Sequence, residues 1–368
     1  MTNKTNRTYW TYRIVLSGGG SGGPVSPLLA IAEELISNND ANYDFLWIGT
    51  SGGPERLMVE KEKIRFFSIP SGKLRRYFSF KNFTNIFSII LGTIRAFLIL
   101  GRFRPDLVLS AGGFVSVPVI WASALLRIPV LIHQQDLVPG LANKLMAPFA
   151  RTITVTFDRS LKDFGHKAVL TGNPVRKAFA EASTKEKAIS DFGFSSRLPV
   201  ILILGGGTGS SAINSLVAES LSQLISRFQI IHVTGKGKAM STMSTESRSY
   251  KSYEFLDVRR MALAYQASDL VVSRCGLGAL TEISYTRKPS ILIPMPDSHQ
   301  EENARLFSEK NAAIVLDQKT LKPDDFIAQI ERIMSDDGLR RSLAERLSFV
   351  MESEANKKIT AEIYKIIN

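Results

Sequence analysis

Two glycine-rich loops have the residue types and spacing needed to bind a phosphorylated ligand. The first, GGGSGG at residues 18–23, follows an apolar run and precedes a helical pattern, and the second, GGGTG at residues 205–209, has the same surroundings. Glycine lets a backbone approach a ligand closely, and a helix N-terminus offers free N–H donors and a partial positive charge. We therefore expect phosphate at these loops, the alternative being a tight strand-to-helix turn that binds nothing.

The first loop also matches the dinucleotide-binding pattern G-x-G-x-x-G through Gly18, Gly20 and Gly23. That pattern requires an acidic residue at the end of the second strand, about 20 residues further on, to hold a ribose diol. The second predicted strand ends in FLWIGTSGG, without Asp or Glu at its tip. The sequence therefore disfavours a nicotinamide dinucleotide.

Three further segments place glycine beside residues that could bind a ligand. SAGGFVSVP at 110–118 follows a strand, GNPVR at 172–176 ends the first half with Arg176, and SRCGLGALTEIS at 273–284 places Glu282 in a helix. A carboxylate at that position could accept two hydrogen bonds from a ribose diol. The alternative is that Glu282 only complements the helix dipole.

Apolar runs alternate with helical patterns along the chain, which predicts parallel sheets in an α/β fold. Strand, glycine loop and helix recur after a polar stretch at 177–199, so we expect two Rossmann-like domains facing a cleft. We assign residues 1–178 and 198–368 to these domains and allow for the last helix packing back on the first. The predicted strands are 13–17, 43–48, 107–110, 130–133, 152–156, 200–204, 229–233, 270–273 and 290–293.

The composition of the chain indicates which kinds of partner it binds and in which cell compartment it works. The chain has 368 residues, one cysteine and a formal net charge of +12. A single Cys275 excludes an internal disulfide and a cysteine-based zinc site. The first residues, MTNKTNRTYWTYR, lack the apolar core of a signal peptide, which predicts a cytoplasmic protein. The positive charge favours an anionic partner such as nucleic acid, a membrane surface or a phosphorylated ligand.

Residues 73–100 carry the membrane-like features of the sequence. The apolar segment 83–100 contains Arg95 and Asn85, which argues against a membrane span, so we predict a buried amphipathic helix. In the preceding loop, basic and aromatic residues interleave, a pattern that favours an anionic membrane surface over single-stranded nucleic acid or an ordinary core flap. The residues assigned to this contact are Arg75, Arg76, Phe78 and Phe80.

Taken in order, these segments resemble the MurG family within the GT-B glycosyltransferase superfamily. The resemblance rests on GGGSGGPVSP, SAGGFVSVP, IPVLIHQQDLVPGLANK, GNPVR, LGGGTGSSAIN, SRCGLGALTE and HQEENA, which together cover nearly the whole chain. It implies an inverting enzyme that moves N-acetylglucosamine from UDP-N-acetylglucosamine to a polyprenyl-diphosphate-linked muramoyl-pentapeptide in peptidoglycan synthesis. The two alternatives are a related transferase acting on another lipid, such as diacylglycerol, and a catalytically silent UDP-sugar-binding protein.

The resemblance also implies a setting. It places the protein peripherally at the cytoplasmic face of the cell membrane, with the lipid acceptor on the N-terminal domain and the sugar nucleotide on the C-terminal domain. It implies no metal, no cofactor and no nucleic acid, and makes other cell-wall synthesis proteins candidate partners.

Residue roles follow from the resemblance position by position. Glu282 is expected at the uridine ribose, Leu256 by the uracil and Arg176 at the diphosphate. His299, Gln300 and Asn303 are expected at the sugar hydroxyls or the diphosphate. The remaining expected substrate contacts are Ser21, Gly22, Gly23, Asp136, Gly207, Thr208, Arg274, Gly278, Ala279, Leu280 and Thr281.

Two departures from the family pattern concern the catalytic base. Pro24 stands where family members usually have a histidine, and HQQD at 133–136 stands where they usually have H-E-Q-N. Proline cannot take a proton, although it suits the first turn of a helix. A relocated base at His133 or Asp136 is the favoured explanation; a slow enzyme or a binding protein are the alternatives.

Overall fold

The computed structural model of this chain describes residues 11–20, 22–38, 41–72, 81–181, 183–238 and 248–368, without the side chains of 81–84 and 86. The chain folds into two compact units. The first unit contains Met1–Gln135, Pro139–Pro174 and Glu354–Asn368, and the second contains Asp136–Val138 and Val175–Ser353. The C-terminal helix therefore belongs to the first unit, and a short segment after the fifth strand belongs to the second.

A seven-stranded parallel sheet forms the centre of the first unit, in the order β3-β2-β1-β4-β5-β6-β7. Its central strands are continuous apolar runs that are buried on both faces, as expected when helices cover a parallel sheet. The strands are β1 (Thr11–Ser17), β2 (Asn42–Gly49), β3 (Arg65–Ser68), β4 (Leu107–Ser110), β5 (Val130–Gln134), β6 (Thr152–Val155) and β7 (Ala168–Leu170).

The second unit has a six-stranded parallel sheet in the order β10-β9-β8-β11-β12-β13. Its strands are β8 (Val200–Leu204), β9 (Gln229–Val233), β10 (Tyr250–Tyr253), β11 (Leu270–Ser273), β12 (Ser290–Leu292) and β13 (Ile314–Val315). In each sheet the chain first adds strands on one side of the first strand and then crosses to add strands on its other side. The order therefore reverses at β1, between β2 and β4, and at β8, between β9 and β11. The loops at the carboxyl ends of such strands diverge and form the usual ligand site of an open α/β sheet.

Helices lie between the strands of both sheets and after the last strand, β13. In the first unit they are α1 (Val25–Ser37), α2 (Glu55–Lys61), α3 (Lys81–Phe103), α4 (Ser116–Leu125), α5 (Leu141–Met146), α6 (Leu161–Phe164) and α14 (Ala355–Ile367). In the second they are α7 (Lys185–Asp191), α8 (Ser211–Leu224), α9 (Val258–Ala267), α10 (Leu277–Thr286), α11 (His299–Glu309), α12 (Pro323–Ser335) and α13 (Asp337–Leu347).

The C-terminal helix α14 is fixed by one apolar face. Ile359, Ile363 and Ile366 recur at the spacing of successive helical turns and join the cluster of buried side chains that includes Ile14 and Leu35. Near the end of the same helix, the hydroxyl of Tyr364 accepts a hydrogen bond from the hydroxyl of Tyr43 at 3.2 Å.

The predicted α/β fold class is confirmed, and so are the inner strands of both sheets. Sequence reasoning missed β3, β7, β10 and β13, which are the edge strands. Edge strands are short and partly solvated, so they lack the continuous apolar run that marks an inner strand.

Helix α3 corrects the prediction of a buried amphipathic helix. One face is buried through Ile89, Ala96 and Leu100. The opposite face is largely apolar and exposed, with Phe87 at 67% and Leu98 at 65% relative exposure. The other exposed large apolar residues of this helix are Ile90, Leu91, Ile94 and Phe97. Among the described residues, no helix is long and apolar enough to cross a membrane.

Candidate active site

The second glycine loop is held rigidly against the loop that follows β9. A Cβ atom on Gly209 would lie 2.1 Å from the carbonyl oxygen of Thr234, so no larger residue fits there. Asn214 of α8 donates to the carbonyl oxygens of Thr234 and Lys238, at 3.1 and 2.9 Å. The buried ring of His232 accompanies this network, with Nε2 3.1 Å from Asn214 Oδ1. The tip of the loop at Gly207 and Thr208 is exposed.

The N-terminus of α10 has the properties of an anion site. The helix begins after Gly276, which provides no side-chain cap, so the amides of its first turn have no capping acceptor on that residue. A Cβ atom on Gly276 or Gly278 would meet no atom within 4 Å, and the same holds for Gly207. Packing therefore does not require glycine at these positions, whereas close approach of a ligand would require it.

Arg274 is a structural part of this region and does not present its guanidinium to solvent. It is 7% exposed. Its Nη1 donates to the carbonyl oxygens of Ile293 and Pro294, and its Nη2 donates to Ser210 Oγ at 2.7 Å and to Gln318 Oε1. Because Ser210 caps α8, this arginine ties the second glycine loop to the ends of β11 and β12. All of these contacts are with protein atoms, and the expected contact of Arg274 with substrate stays a prediction.

Glu282 lies in the second turn of α10, and the first turn of that helix contains no acidic residue. This position weakens the alternative that Glu282 serves only to complement the helix dipole, whose effect falls off within the first turn. Burial raises the pKa of Glu282 to about 7, and the neighbouring Tyr265 side chain acts in the opposite direction. Burial also raises the pKa of Tyr265, and the neighbouring Glu282 charge adds to that increase.

Gln300 and Asn303 of α11 connect three loops. Gln300 Oε1 accepts from the amides of Cys275 and Met295 at 3.2 and 3.1 Å. Asn303 is fully buried and its Nδ2 donates to the Cys275 carbonyl at 3.1 Å. Burial raises the pKa of Cys275 to about 12, so the thiol stays protonated and its backbone makes the contacts.

Asp136 is brought to the same helix. Asn303 Nδ2 donates to Asp136 Oδ1 at 3.2 Å, and the amide of Leu137 donates to Asn303 Oδ1 at 3.4 Å. His299 Nε2 lies 3.8 Å from Asp136 Oδ1, and the imidazole is more than half exposed. The carboxylate of Asp136 is itself 36% exposed. The structure therefore places Asp136 beside Asn303 and His299, two of the residues expected at the sugar.

His133 is placed differently from the prediction that made it a catalytic base. Its side chain has no exposed surface. Nδ1 lies 2.9 Å from Thr154 Oγ1 and Nε2 lies 2.7 Å from Asn173 Oδ1, so both ring nitrogens are paired. Burial lowers the pKa of His133 to about 4. A paired and inaccessible imidazole with that pKa is poorly suited to take a proton, so this geometry disfavours the predicted role of His133 as the base.

The first glycine loop is anchored by residues that sequence reasoning missed. Trp47 Nε1 donates to the carbonyl oxygen of Gly18 at 3.1 Å, and the buried carboxylate of Glu55 accepts from the amide of Gly20. Pro24 precedes α1 with a φ of −69°, the value its ring favours, so its replacement of histidine leaves the fold intact. Trp47 was included in a predicted strand, but nothing in the sequence pairs it with the loop.

The other predicted site residues divide by exposure. Leu256, Leu280, Thr281 and Arg176 are buried, and the hydroxyl of Thr281 donates to the carbonyl of Leu277. Gly22, Gly23, Gly278 and Ala279 are at least partly accessible. Ser21 and the four residues assigned to the membrane, Arg75, Arg76, Phe78 and Phe80, lie outside the described residues. Within the described residues, no group of three or more His, Cys, Asp or Glu side chains is placed to hold a metal ion.

Comparison with known protein families identifies the chain as a glycosyltransferase. The N-terminal domain model of glycosyltransferase family 28 matches residues 14–155, and the C-terminal domain model of the same family matches residues 200–359. The chain belongs to glycosyltransferase family 28, and the family resemblance found in the sequence is confirmed.

A curated relative from Clostridium botulinum strain Hall is 39% identical over 86% of this chain and 90% of its own length. Its name is UDP-N-acetylglucosamine–N-acetylmuramyl-(pentapeptide) pyrophosphoryl-undecaprenol N-acetylglucosamine transferase. The crystal structure of Acinetobacter baumannii MurG has a TM-score of 0.72 and 23% identity, over 96% of this chain and 99% of that one. A UDP-GlcNAc 2-epimerase from Neisseria meningitidis has a TM-score of 0.69 and 14% identity over 97% of this chain and all of that one. At such identities the structures show a shared fold, not a shared reaction.

Proposed function

We propose that this protein transfers N-acetylglucosamine from UDP-N-acetylglucosamine to a polyprenyl-diphosphate-linked muramoyl-pentapeptide, the step that converts lipid I to lipid II. One observation carries the proposal beyond family membership. The uncapped N-terminus of α10, with open space at Gly276 and Gly278, stands on the same helix as the partly buried carboxylate of Glu282. Binding the diphosphate and the ribose of a nucleotide sugar requires one anion site and one hydrogen-bond acceptor, and α10 carries both.

The donor site is proposed as follows. The first-turn amides of α10 bind the diphosphate, supported by the helix dipole. Glu282 accepts hydrogen bonds from the ribose hydroxyls, and the exposed tip of the second loop at Gly207 and Thr208 covers the phosphates. Arg274 holds these loops in register without touching the nucleotide. The same amides stabilise the charge that grows on UDP as it leaves.

The sugar site is proposed at the start of α11. His299 is exposed and Gln300 is partly buried, with an amide oxygen already engaged and an amide nitrogen that can donate to a sugar hydroxyl. Leu256 is buried, so we infer that uracil meets its backbone and not its side chain. Arg176 is also buried, and its proposed role is to add positive charge beside the diphosphate.

Asp136 is the proposed catalytic base. It is the more accessible of the two candidates, and Asn303 fixes one of its oxygens. The acceptor hydroxyl gives its proton to the Asp136 carboxylate while its oxygen forms a bond with C1 of the sugar. The bond between C1 and the diphosphate oxygen breaks, and UDP leaves with that electron pair. Attack from the face opposite the leaving group inverts C1.

The exposed face of α3 supports a peripheral place on the membrane. Its apolar residues recur at positions 87, 90, 91, 94 and 98, which is one side of a helix. Arg95 and Arg102 are exposed along one margin of this side. An apolar stripe bordered by basic side chains fits a bilayer surface containing anionic lipid. The proposed acceptor is itself anchored in such a bilayer, so docking would bring enzyme and acceptor together.

The experiment is a turnover assay with a panel of acceptors in vesicles. UDP-N-acetylglucosamine labelled in the sugar is incubated with the protein and either polyprenyl-diphosphate-muramoyl-pentapeptide or diacylglycerol. Label on the muramoyl lipid supports the proposal, and label on diacylglycerol alone replaces it with the related transferase. Tight UDP-sugar binding without turnover on either acceptor would identify a binding protein, an outcome that the missing histidine at Pro24 makes worth testing.

A further inference from the structure

Glu55 is a buried acidic residue without a part in the chemistry above. It is the first residue of α2 and has no exposed surface. Its carboxylate accepts from the Thr50 amide at 2.8 Å, from the Thr50 hydroxyl, and from the Gly20 amide at 3.2 Å. Buried carboxylates are retained only when such partners replace water. The last of these partners belongs to the first glycine loop, which makes Glu55 part of that loop's construction.

The backbone around Glu55 is shaped to admit the carboxylate. A Cβ atom on Gly19 would lie 2.3 Å from Glu55 Oε1, and a Cβ atom on Gly53 would lie 1.9 Å from Glu55 Oε2. On its other side the Gly19 peptide touches the loop after β4, because a Cβ atom on Gly113 would lie 2.6 Å from the Gly19 carbonyl oxygen. Gly19 and Gly53 must therefore be glycine because a side chain at either position would collide with Glu55, and no ligand is needed to account for them.

The hydrogen bond from Gly20 fixes the direction of a peptide unit. In a trans peptide the N–H and the preceding carbonyl point in opposite directions. With the Gly20 N–H turned toward Glu55, the Gly19 carbonyl must point away from it, toward Gly113. This bond therefore constrains the loop at Gly20, close in sequence to the accessible Gly22 and Gly23.

We propose that Glu55 is a positioning residue that holds the first glycine loop in the conformation required by the lipid acceptor. The inference rests on the proposed function, since it assigns the first loop to that acceptor. The competing explanation is that Glu55 stabilises only the turn between β2 and α2, through Thr50. The two explanations differ in which hydrogen bond matters, and two conservative substitutions separate them.

Glu55→Gln is the test variant and Thr50→Val is its matched control. Glutamine has one acceptor oxygen, so if that oxygen faces the Thr50 amide, its NH2 group faces the Gly20 N–H, donor against donor. Valine has the shape of threonine and removes only the hydroxyl, leaving the Gly20 bond in place. Both variants lose one contact of the same carboxylate, so a general loss of stability appears in both.

Acceptor kinetics provide the first readout. Loss of a hydrogen bond to a charged group corresponds to a change of about tenfold or more. We expect Glu55→Gln to lower kcat/KM for the lipid acceptor by about tenfold or more, and Thr50→Val to change it by less than about threefold. The Kd of UDP-N-acetylglucosamine should stay within about twofold in both, because the proposed donor site lies in the second unit. Equal acceptor kinetics in the two variants, or a parallel loss of donor affinity, would overturn the inference.

Amide hydrogen exchange provides a second readout that needs no turnover. Glu55→Gln should speed exchange of the amides at residues 17–25 by about tenfold, while Thr50→Val leaves them near wild type. Identical exchange in the two variants would refute the positioning role even if the protein proved inactive. If instead the loop responds as expected but the wild-type protein transfers no sugar to the muramoyl lipid, the proposed function fails and the positioning role stands. Should Glu55→Gln not fold, Glu55→Asp keeps the charge but moves the carboxylate away from both Gly20 and Thr50, and its exchange at residues 17–25 is compared with that of Thr50→Val.

Discussion

Exchanging Glu282 for glutamine should weaken donor binding and should stabilise the protein without ligand. The two effects have opposite signs, and both follow from removing the same carboxylate. The carboxylate is partly buried, and its pKa is raised from an ordinary value of 4.5 to about 7. A ribose diol donates hydrogen bonds, which an ionised carboxylate accepts far better than a protonated one. Binding of the nucleotide sugar should therefore favour the ionised form and release a proton where that form is not already present.

The magnitude follows from the pKa and from the strength of charged hydrogen bonds. About half of the Glu282 side chains are ionised near pH 7 and about one tenth at pH 6, so wild-type affinity should fall by up to about tenfold between pH 8 and pH 6. Charged hydrogen bonds are worth about 1.5–3 kcal/mol, or about 10- to 150-fold in affinity. Glu282→Gln should lose most of that factor at pH 8 and show no dependence on pH across this interval.

Stability should change in the other direction. An acid whose pKa is raised by folding destabilises the folded state as pH rises from the unfolded value near 4.5 to the folded value near 7. A difference of that size corresponds to about 3 kcal/mol above pH 7 and to nothing below pH 4.5. The glutamine variant carries no such penalty, so without ligand it should unfold at higher denaturant concentration than wild type at pH 8.

Calorimetric titration of UDP-N-acetylglucosamine at pH 6, 7 and 8 measures the binding part, and urea unfolding at pH 5 and 8 measures the stability part. The nucleotide sugar is preferred to UDP because its diphosphate has no titrating proton in this interval. If wild type and Glu282→Gln bind with equal affinity at pH 8, or show the same slope with pH, Glu282 does not bind the ribose. A variant that is weaker in both binding and stability would point to damaged packing of α10.

Four further outcomes follow from the geometry. Gly278→Ala should stabilise the protein by about 0.5 kcal/mol, because alanine favours helix and no atom occupies the Cβ position, and should weaken UDP-N-acetylglucosamine binding at least about tenfold. The control Gly101→Ala, at an equally open position, should stabilise the protein without changing binding. Normal binding by Gly278→Ala would contradict the proposed anion site. Asp136→Asn should lower kcat by about 10²-fold with donor Kd unchanged, and normal turnover would exclude Asp136 as the base. His133→Gln should keep kcat within about tenfold. Wild type should lose about 3 kcal/mol of stability between pH 6.5 and pH 4, because His133 binds a proton near pH 4 when folded and near pH 6.5 when unfolded, and the variant should not show this loss. An unchanged acid transition in the variant would show that His133 does not cause the loss. Replacing both Leu91 and Leu98 by Asp should release the protein from anionic vesicles with UDP-sugar binding intact, and undiminished sedimentation with vesicles would assign that face of α3 to another partner.

The sequence predicted most where local pattern and burial coincide. Inner strands such as β8 and β11 are apolar runs bounded by turn residues, and both were predicted with the bounds that the structure shows. The edge strands β3 and β10 were missed because most of their residues are at least partly exposed, which dilutes the apolar pattern. Helix α3 was predicted as a helix, but its pattern alone could not tell which apolar face was covered.

Site residues are harder to predict than strands, for a different reason. A motif gives the type of a residue but not the direction of its side chain. Arg274 and His133 have types that suit catalysis, yet tertiary packing surrounds each with protein partners. Glu55 was not selected because its partner Gly20 is 35 residues away in sequence. The predicted domain limits and the membrane loop at residues 73–80 remain predictions.

The most direct test of the account is transfer of labelled N-acetylglucosamine to polyprenyl-diphosphate-muramoyl-pentapeptide, measured in parallel for wild type, Glu282→Gln and Asp136→Asn. We expect one labelled disaccharide-lipid product from wild type. Glu282→Gln should reach a similar kcat at saturating donor with a raised KM, because it affects nucleotide binding. Asp136→Asn should bind donor normally and turn over about 10²-fold more slowly. A wild-type protein that binds UDP-N-acetylglucosamine but forms no labelled lipid, at any donor concentration, would contradict the assignment of this chain as the transferase.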